Sequence, residues 1–314
     1  MLKYIILLIF IIMVYILNTY DKLIDFSENV NIIGRDFHSG NFSIVKLPDE
    51  KKYLLVSRLI TQNINYKNIK NVSLHRFTTI DDSNFEVIEK KKIFIPKLIK
   101  QVLLKSRRVI SNKSYFGIED IRLFNYNGKI VILGSMQLEN KKIVVVNGEY
   151  QPNLNLIINI RPVKVNFNHQ TVEKNWSYYI QNGKLRIIYK WYPLLLCEIN
   201  SENQLVLVEK KITPKLFFNA RGSTCGVNYN NEIYFIVHYT INYNYYHFFV
   251  VFDLNMNLKR VSEIFKFENQ QVEFCIGLEI VENSFVICYS VFDKCSKIAI
   301  YEISKLNNLK WAFF

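Results

Sequence analysis

From about residue 44 onward the chain alternates short apolar runs with breaks rich in Asn, Gly, Asp and Lys, and no stretch of useful length holds a 3.6-residue repeat. The pattern predicts an all-β chain. Segments beginning near Lys51 (KKYLLVSR), Gly128 (GKIVILGSM), Gly183 (GKLRIIYKW), Asn231 (NEIYFIVHY) and Asn283 (NSFVICYSV) resemble one another. From the second onward their starts fall roughly every 50 residues, the spacing of a propeller blade built from a four-stranded sheet. A β-sandwich would also space its strands regularly but would not repeat this turn, strand and polar-aromatic unit. The expectation is a five-bladed β-propeller over residues 44–314. In that fold, inner strands carry scattered polar residues, such as His238 after YFIV, to one mouth of a central channel.

Ahead of this region, Tyr4 to Leu17 form an apolar run without a charge, preceded by Lys3 and followed by Asp21. It is near the short limit for a membrane span, and a secretory leader is the competing reading, although no small-residue cleavage pattern follows it. The reading adopted is a membrane anchor over residues 1–20 and a polar stem over 21–43. The charge bias makes it a single-pass type II protein with an extracytoplasmic domain, of the secretory pathway or virus-associated. Asn41-Phe42-Ser43, Asn71-Val72-Ser73 and Asn112-Lys113-Ser114 then read as glycosylation triplets of small weight.

Composition changes this picture little. With 314 residues, half of them hydrophobic, the chain can bury the core of one large domain. The formal charge of +13 comes from Lys residues spread along the chain, which argues against nucleic acid. It fits an anionic small substrate, such as a sugar nucleotide or sugar phosphate, or simple loop solvation. Cys197, Cys225, Cys275, Cys288 and Cys295 have no C-x-x-C spacing and read mostly as buried thiols rather than a zinc site.

The densest chemistry lies in Gly117-Ile118-Glu119-Asp120-Ile121-Arg122. Ile118, Ile121 and Leu123 supply apolar surroundings able to raise the Asp120 pKa toward that of a general acid or base. Arg122 would orient the acid or clamp an anion. The bland alternative is an Asp-Arg bridge in a turn. Glu173-Lys174-Asn175-Trp176 mixes the groups that hold sugar hydroxyls and stack on their apolar face; otherwise Trp176 caps a core. Arg221-Gly222-Ser223-Thr224 is a small-residue loop able to approach an anion. His238 and His247 stand in aromatic strands where core roles are common, and Glu273 and Asp293 end apolar segments where a turn role is the default. No P-loop, H-E-x-x-H, G-x-S-x-G or Asp-x-Asp motif is present, so neither a metal nor a cofactor is expected.

Taken in order, residues 50–305 resemble the β-mannoside phosphorylase family of five-bladed propellers, its related mannosyltransferases and the propeller domains that accompany bacterial glycosyltransferases. Gly117 to Arg122 is similar to the family's Gly-x-Glu-Asp-Pro-Arg motif, with Ile121 in place of Pro, and the family's general acid falls on Asp120. Tyr246-His247-Phe248 through Leu278 follow the glycosyltransferase-associated domains segment by segment, and Asp293 falls on a sugar-binding Asp. The resemblance implies Asp120 as the catalytic residue. It implies Arg58, Glu119, Arg122, Glu173, Lys174, Asn175, Arg221, His238, Glu273 and Asp293 as substrate contacts. The phosphate-binding set of phosphorylases is not clearly reproduced. The expectation is therefore an inverting, metal-independent glycosyltransferase moving mannose from an activated donor to a glycan acceptor. A glycoside hydrolase or phosphorylase of the same fold, or a glycan-binding propeller, is the alternative.

Overall fold

The structure, a computed structural model, describes residues 14–17, 19–48, 50–62, 64, 69–106, 111–167, 170–306 and 308–314. The two earliest strands, β1 (Tyr15–Ile16) and β2 (Lys22–Asp25), pair with strands formed near the other end of the chain. A first sheet holds β3 (Asn29–Ile32), β4 (Arg35–Lys46), β5 (Lys52–Gln62), β6 (Asn71–Asp81), β7 (Val87–Lys90) and β8 (Tyr115–Phe116). The second is β9 (Glu119–Tyr126), β10 (Lys129–Gln137), β11 (Ile143–Gln151) and β12 (Leu156–Pro162). The third is β13 (Lys164–Val165), β14 (Ser177–Gln181), β15 (Lys184–Trp191), β16 (Leu194–Ile199) and β17 (Gln204–Lys211). A fourth contains β18 (Arg221–Gly222), β19 (Val227–Tyr229), β20 (Glu232–Ile241), β21 (Asn244–Asp253), β22 (Leu258–Ser262) and β23 (Phe265–Lys266). In the fifth, β24 (Glu273–Val281), β25 (Ser284–Val291) and β26 (Cys295–Glu302) are completed by β2, while β27 (Trp311–Phe313) returns to β22.

The five similar segments of the sequence are β5, β10, β15, β20 and β25, one in each sheet and each paired antiparallel on both edges. The asparagines have a local reason. The turns entering β10, β15 and β20 are Asn127-Gly128, Asn182-Gly183 and Asn230-Asn231, with φ of 51° and 77°, 51° and 73°, and 48° and 61°. Two successive positive φ values give the turn that matches strand twist, and Asn and Gly reach them most cheaply.

Alternation along each strand then sends neighbouring residues to opposite faces. On β20, Ile233, Phe235 and Val237 pack toward the third sheet, while Tyr234 and Ile236 pack toward the fifth. The same two-sided burial recurs between first and second sheets (Val56, Leu123), second and third (Leu133, Ile187), and fifth and first (Cys288, Leu55). Consecutive sheets therefore share a core, and the last shares one with the first. That closed ring is the all-β propeller expected.

The membrane assignment is corrected. Among the described residues no helix is long and apolar enough to cross a membrane. Residues 1–13 and 18 of the expected anchor lie outside the described residues, but Tyr15 to Leu17 belong to the fold. Tyr15 and Ile16 pair with Phe265 and Lys266, and Leu17 is 2% exposed and accepts a 2.7 Å hydrogen bond from the Tyr301 hydroxyl. An apolar run is required there because it enters the core beside Phe265 and Tyr301. The type II, extracytoplasmic assignment falls with the anchor. Where a polar stem was expected, β2, β3 and most of β4 form sheet.

Candidate active site

Two β-bulges build the centre of the site. Ser39 pairs with Leu59 and Phe42 with Ser57, so Gly40 and Asn41 of β4 together face Arg58 of β5. On β9, Arg122 pairs with Leu133 and Glu119 with Ser135, so Asp120 and Ile121 face Gly134. An extra residue of this kind bends a strand and re-aims its side chains. Asp120 takes the left-handed conformation, φ 52°, as do Asn175 at 63° and Asp293 at 53°. Non-glycine residues held there store backbone strain, which gathers at functional positions, although Asn and Asp tolerate the region best.

The bulged residues meet at Arg58. Its Nη1 donates to Asp120 Oδ1 at 3.0 Å, Nη2 to Glu119 Oε1 at 2.6 Å and Nε to Ser73 Oγ at 2.9 Å. The Asn41 amide donates to the same Asp120 oxygen at 2.8 Å, and Asn41 Oδ1 accepts from Ser290 Oγ. Gly117 makes this approach possible: a Cβ there would lie 2.1 Å from the Ser73 carbonyl oxygen, and its φ of 95° is open to glycine. Asp120 keeps 17% of its side chain exposed and Glu119 24%, so solvent or a ligand reaches both from one side.

Of the two roles expected for Arg122, orienting the acid or clamping an anion, its contacts correspond to the first. It is buried, with Nε donating to the Ser223 carbonyl at 2.6 Å and Nη1 to the Asp120 carbonyl at 3.2 Å. Nη2 donates to Asn175 Oδ1 at 3.2 Å and to the Gly222 carbonyl at 3.3 Å. Its guanidinium ties the second sheet to the loop before β14 and to β18. Gly222 fits against that loop because a Cβ would stand 2.5 Å from the Asn175 carbonyl oxygen.

The carboxyls separate by environment. Burial pushes the Asp120 pKa up, but Arg58, the Asn41 amide, Arg122 and Lys174 together outweigh it and hold the group below the ordinary aspartate value. This reverses the shift expected from the apolar neighbours Ile118, Ile121 and Leu123. Glu119 moves up, because burial and the Asp120 charge exceed the opposing effect of Arg58 and Lys174. Asp293 also moves up through burial, with Arg58 opposing and Asp120 assisting. One ionised acid thus stands beside two that hold protons more tightly.

Lys174 and Arg221 are exposed, and their side chains make no hydrogen bond or ion pair among the described residues. Their charges still lower the pKa of buried His238, after burial, His247 and Arg122. His238 Nδ1 lies 2.8 Å from Ser223 Oγ, and its ring stacks on Tyr245 at 5.6 Å. Tyr245 senses Asp293, Asp120 and Arg221, which places it on the same face.

Glu173 and Glu273 are turned away from this cluster. Glu173 is buried and accepts from the Tyr189 hydroxyl at 2.9 Å. Glu273 is fully buried and accepts the backbone N–H groups of Phe267, Glu268 and Gln270 at 2.6, 2.9 and 2.7 Å, anchoring a loop. Trp176 is core between the second and third sheets. Asn41, read from sequence as a glycosylation acceptor, is 3% exposed and bound to Asp120. Gly40, just ahead of the apolar segment Phe42 to Val45, was the available signal for the bulge that aims it, but it fell within the segment read as a stem.

No protein-family model matches the sequence, and no curated protein matches it. Solved structures share its shape. A β-1,2-mannobiose phosphorylase from Listeria innocua, in complex with β-1,2-mannobiose, is similar with a TM-score of 0.62 at 12% identity, over 91% of this chain and 98% of that one. A glycosyl hydrolase from Bacteroides ovatus gives 0.56 at 13%, over 85% and 84%. A structure described under the GH130 family of mannoside phosphorylases, which contains glycoside hydrolases targeting β-1,2 mannosidic linkages in Candida mannan, gives 0.56 at 12%, over 85% and 84%. At these identities the likeness establishes the propeller fold.

Proposed function

We propose that the protein is an inverting glycoside phosphorylase acting on a β-mannoside, with each of its five sheets serving as a blade and Asp120 as the proton-transfer residue. The observation that carries the reading is Asp120, re-aimed by a bulge, held by Arg58 and Asn41, and within the field of Lys174, whose side chain has no partner among the described residues, with the similarly unpartnered Arg221 beside His238 and Tyr245. The names of the similar structures favour phosphorolysis or hydrolysis over the transferase expected from sequence, and the two free cations favour phosphate as the attacking group over water.

The electrostatics supply a mechanism. In the free protein the cations keep Asp120 ionised, the form that accepts a proton from a sugar hydroxyl when mannose 1-phosphate and an acceptor are joined. A phosphate bound at Lys174, with Arg221 as a further contact, cancels part of the positive field of Arg58, Arg122 and Lys174, so Asp120 rises in pKa and becomes the acid for the opposite direction. A phosphate oxygen then bonds to the anomeric carbon, the glycosidic C–O bond breaks, and the Asp120 proton passes to the leaving oxygen, directly or through a sugar hydroxyl. Glu119, Asn175, His238 and Asp293 are the proposed sugar contacts. Hydrolysis is the second reading, favoured by the raised carboxyls of Glu119 and Asp293, either of which could activate water.

The test is release of mannose 1-phosphate from β-1,2-mannobiose, followed by phosphorus NMR with and without inorganic phosphate. Phosphate-dependent release that falls about 10²–10⁴-fold in Asp120→Asn, with an unchanged circular dichroism spectrum, is expected. Equal mannose release without phosphate would shift the assignment to hydrolysis. Absence of turnover in either direction, with binding retained, would reduce the protein to a glycan-binding propeller.

A further inference from the structure

A cavity lies between the second and third sheets, at the opposite end of the inner strands from Asp120. Tyr126 and Lys184, which flank the two-residue turns closing β9 with β10 and β14 with β15, stand at its rim, and its volume is about 630 Å³. That is the size of a small-ligand site. As at the acid cluster, a bulge shapes it. Asn147 pairs with Arg161 and Glu149 with Ile158, so Asn159 and Ile160 of β12 face Gly148, and Asn159 has φ 54°.

The lining states what the cavity can hold. Glu149 is paired with Lys129 at 3.6 Å and Glu198 with Arg186, while Arg161 and Lys184 are exposed to solvent, so the lining presents no buried unpaired charge. Val131, Leu185 and Ile187 give it an apolar floor. Above that floor Asn147 Oδ1 is buried and has no hydrogen-bond partner among the described residues. Buried acceptors are rarely left so. A hydroxyl donor would satisfy this oxygen, while amides, able to donate and accept, match neighbouring hydroxyls in either sense.

We propose that this groove is a second binding site, for a neutral oligosaccharide, separate from the acid cluster. A sugar chain offers what the groove lacks: hydroxyl donors for Asn147, C–H faces for Leu185 and Ile187, and no ionised group that would have to be stripped of water there. The site rests on its own geometry and needs no turnover at Asp120.

Calorimetry and amide-shift mapping on the full chain test it, with β-1,2-mannotetraose as probe and Asp120→Asn as background so that the probe is not consumed. The mapping should show shifts at residues 147–161 and 184–203, and Asn147→Ala should weaken that binding about tenfold, the effect of one lost hydrogen bond. Asn159→Ala serves the same purpose should Asn147→Ala fail to fold. Turnover of β-1,2-mannobiose with Asp120 intact should be unchanged by either substitution, which separates this site from the catalytic proposal. Absence of shifts in those segments, or groove variants that bind the probe as the parent does, overturns it.

Discussion

Arg58→Met removes the guanidinium that joins Asp120 and Glu119 but keeps a long apolar stem in its place. The arginine side chain is 7% exposed and lies 3.0 and 2.6 Å from the two carboxylates. Deleting one partner of such a buried pair costs about 3–5 kcal/mol, because the charges left behind remain desolvated. Against a total stability of about 5–15 kcal/mol this is a large fraction. The cost must depend on pH if it is electrostatic. In the parent, Asp120 has a depressed pKa, so it contributes stability above its unfolded value of about 3.9 that is lost on acidification. In the variant, burial and mutual repulsion carry both carboxyls above their unfolded values. The folded variant then keeps protons that the unfolded chain has released, and its stability falls as pH rises through that window. Urea unfolding should therefore give a parent-minus-variant difference of about 3–5 kcal/mol at pH 7.5, smaller near pH 4, where the variant's carboxyls hold protons and only the parent's charge pair remains to be lost. Adding Glu119→Gln to the variant should recover part of the loss at pH 7.5. A difference equal at the two pH values to within about 0.5 kcal/mol, the usual tolerance for independent effects, would show that Arg58 acts by packing and would refute the charge argument.

Leu17→Ala should destabilise by about 2–5 kcal/mol, as for other buried leucines, and removal of residues through Asp25 should abolish cooperative melting, since β1 and β2 are lost; an unchanged melting curve would separate this segment from the fold. Carbon-detected titration should find Asp120 below the ordinary aspartate value and Glu119 and Asp293 above theirs, and the opposite order would undo the assignment of proton donors and acceptors. Glu279, on β24, is pushed up to about 7 by burial, with the Lys46 backbone and ammonium opposing. Because that value is raised, parent stability should fall between about pH 4.3 and pH 7 by on the order of 3 kcal/mol relative to Glu279→Gln. Parallel pH profiles for the two proteins would count against it.

What the sequence determined by itself was local. The alternation of apolar and polar positions marks β5, β10, β15, β20 and β25, and the Asn-Gly turns fix the starts of β10 and β15, because strand period and turn type depend on a few adjacent residues. Asp120 stood out for the same reason, with two acids and a guanidinium inside four residues. Other features were settled by partners far away in the chain. A bulge is a mismatch between two strands, so the aiming of Asn41 and Asp120 at Arg58 could not be read from any one of them. Arg58 lies 61 and 62 residues from the acids it holds, and their net charge balance reversed the pKa shift that apolar neighbours alone implied. Glu173 and Glu273 carry the same carboxylate as Glu119, yet a hydroxyl and three backbone amides draw them inward. The end of the N-terminal apolar run, indistinguishable from a membrane segment by hydropathy, is core because Phe265 and Tyr301 meet it in space. Hydrophobicity states only that a segment leaves water, and the tertiary structure decides what it leaves water for.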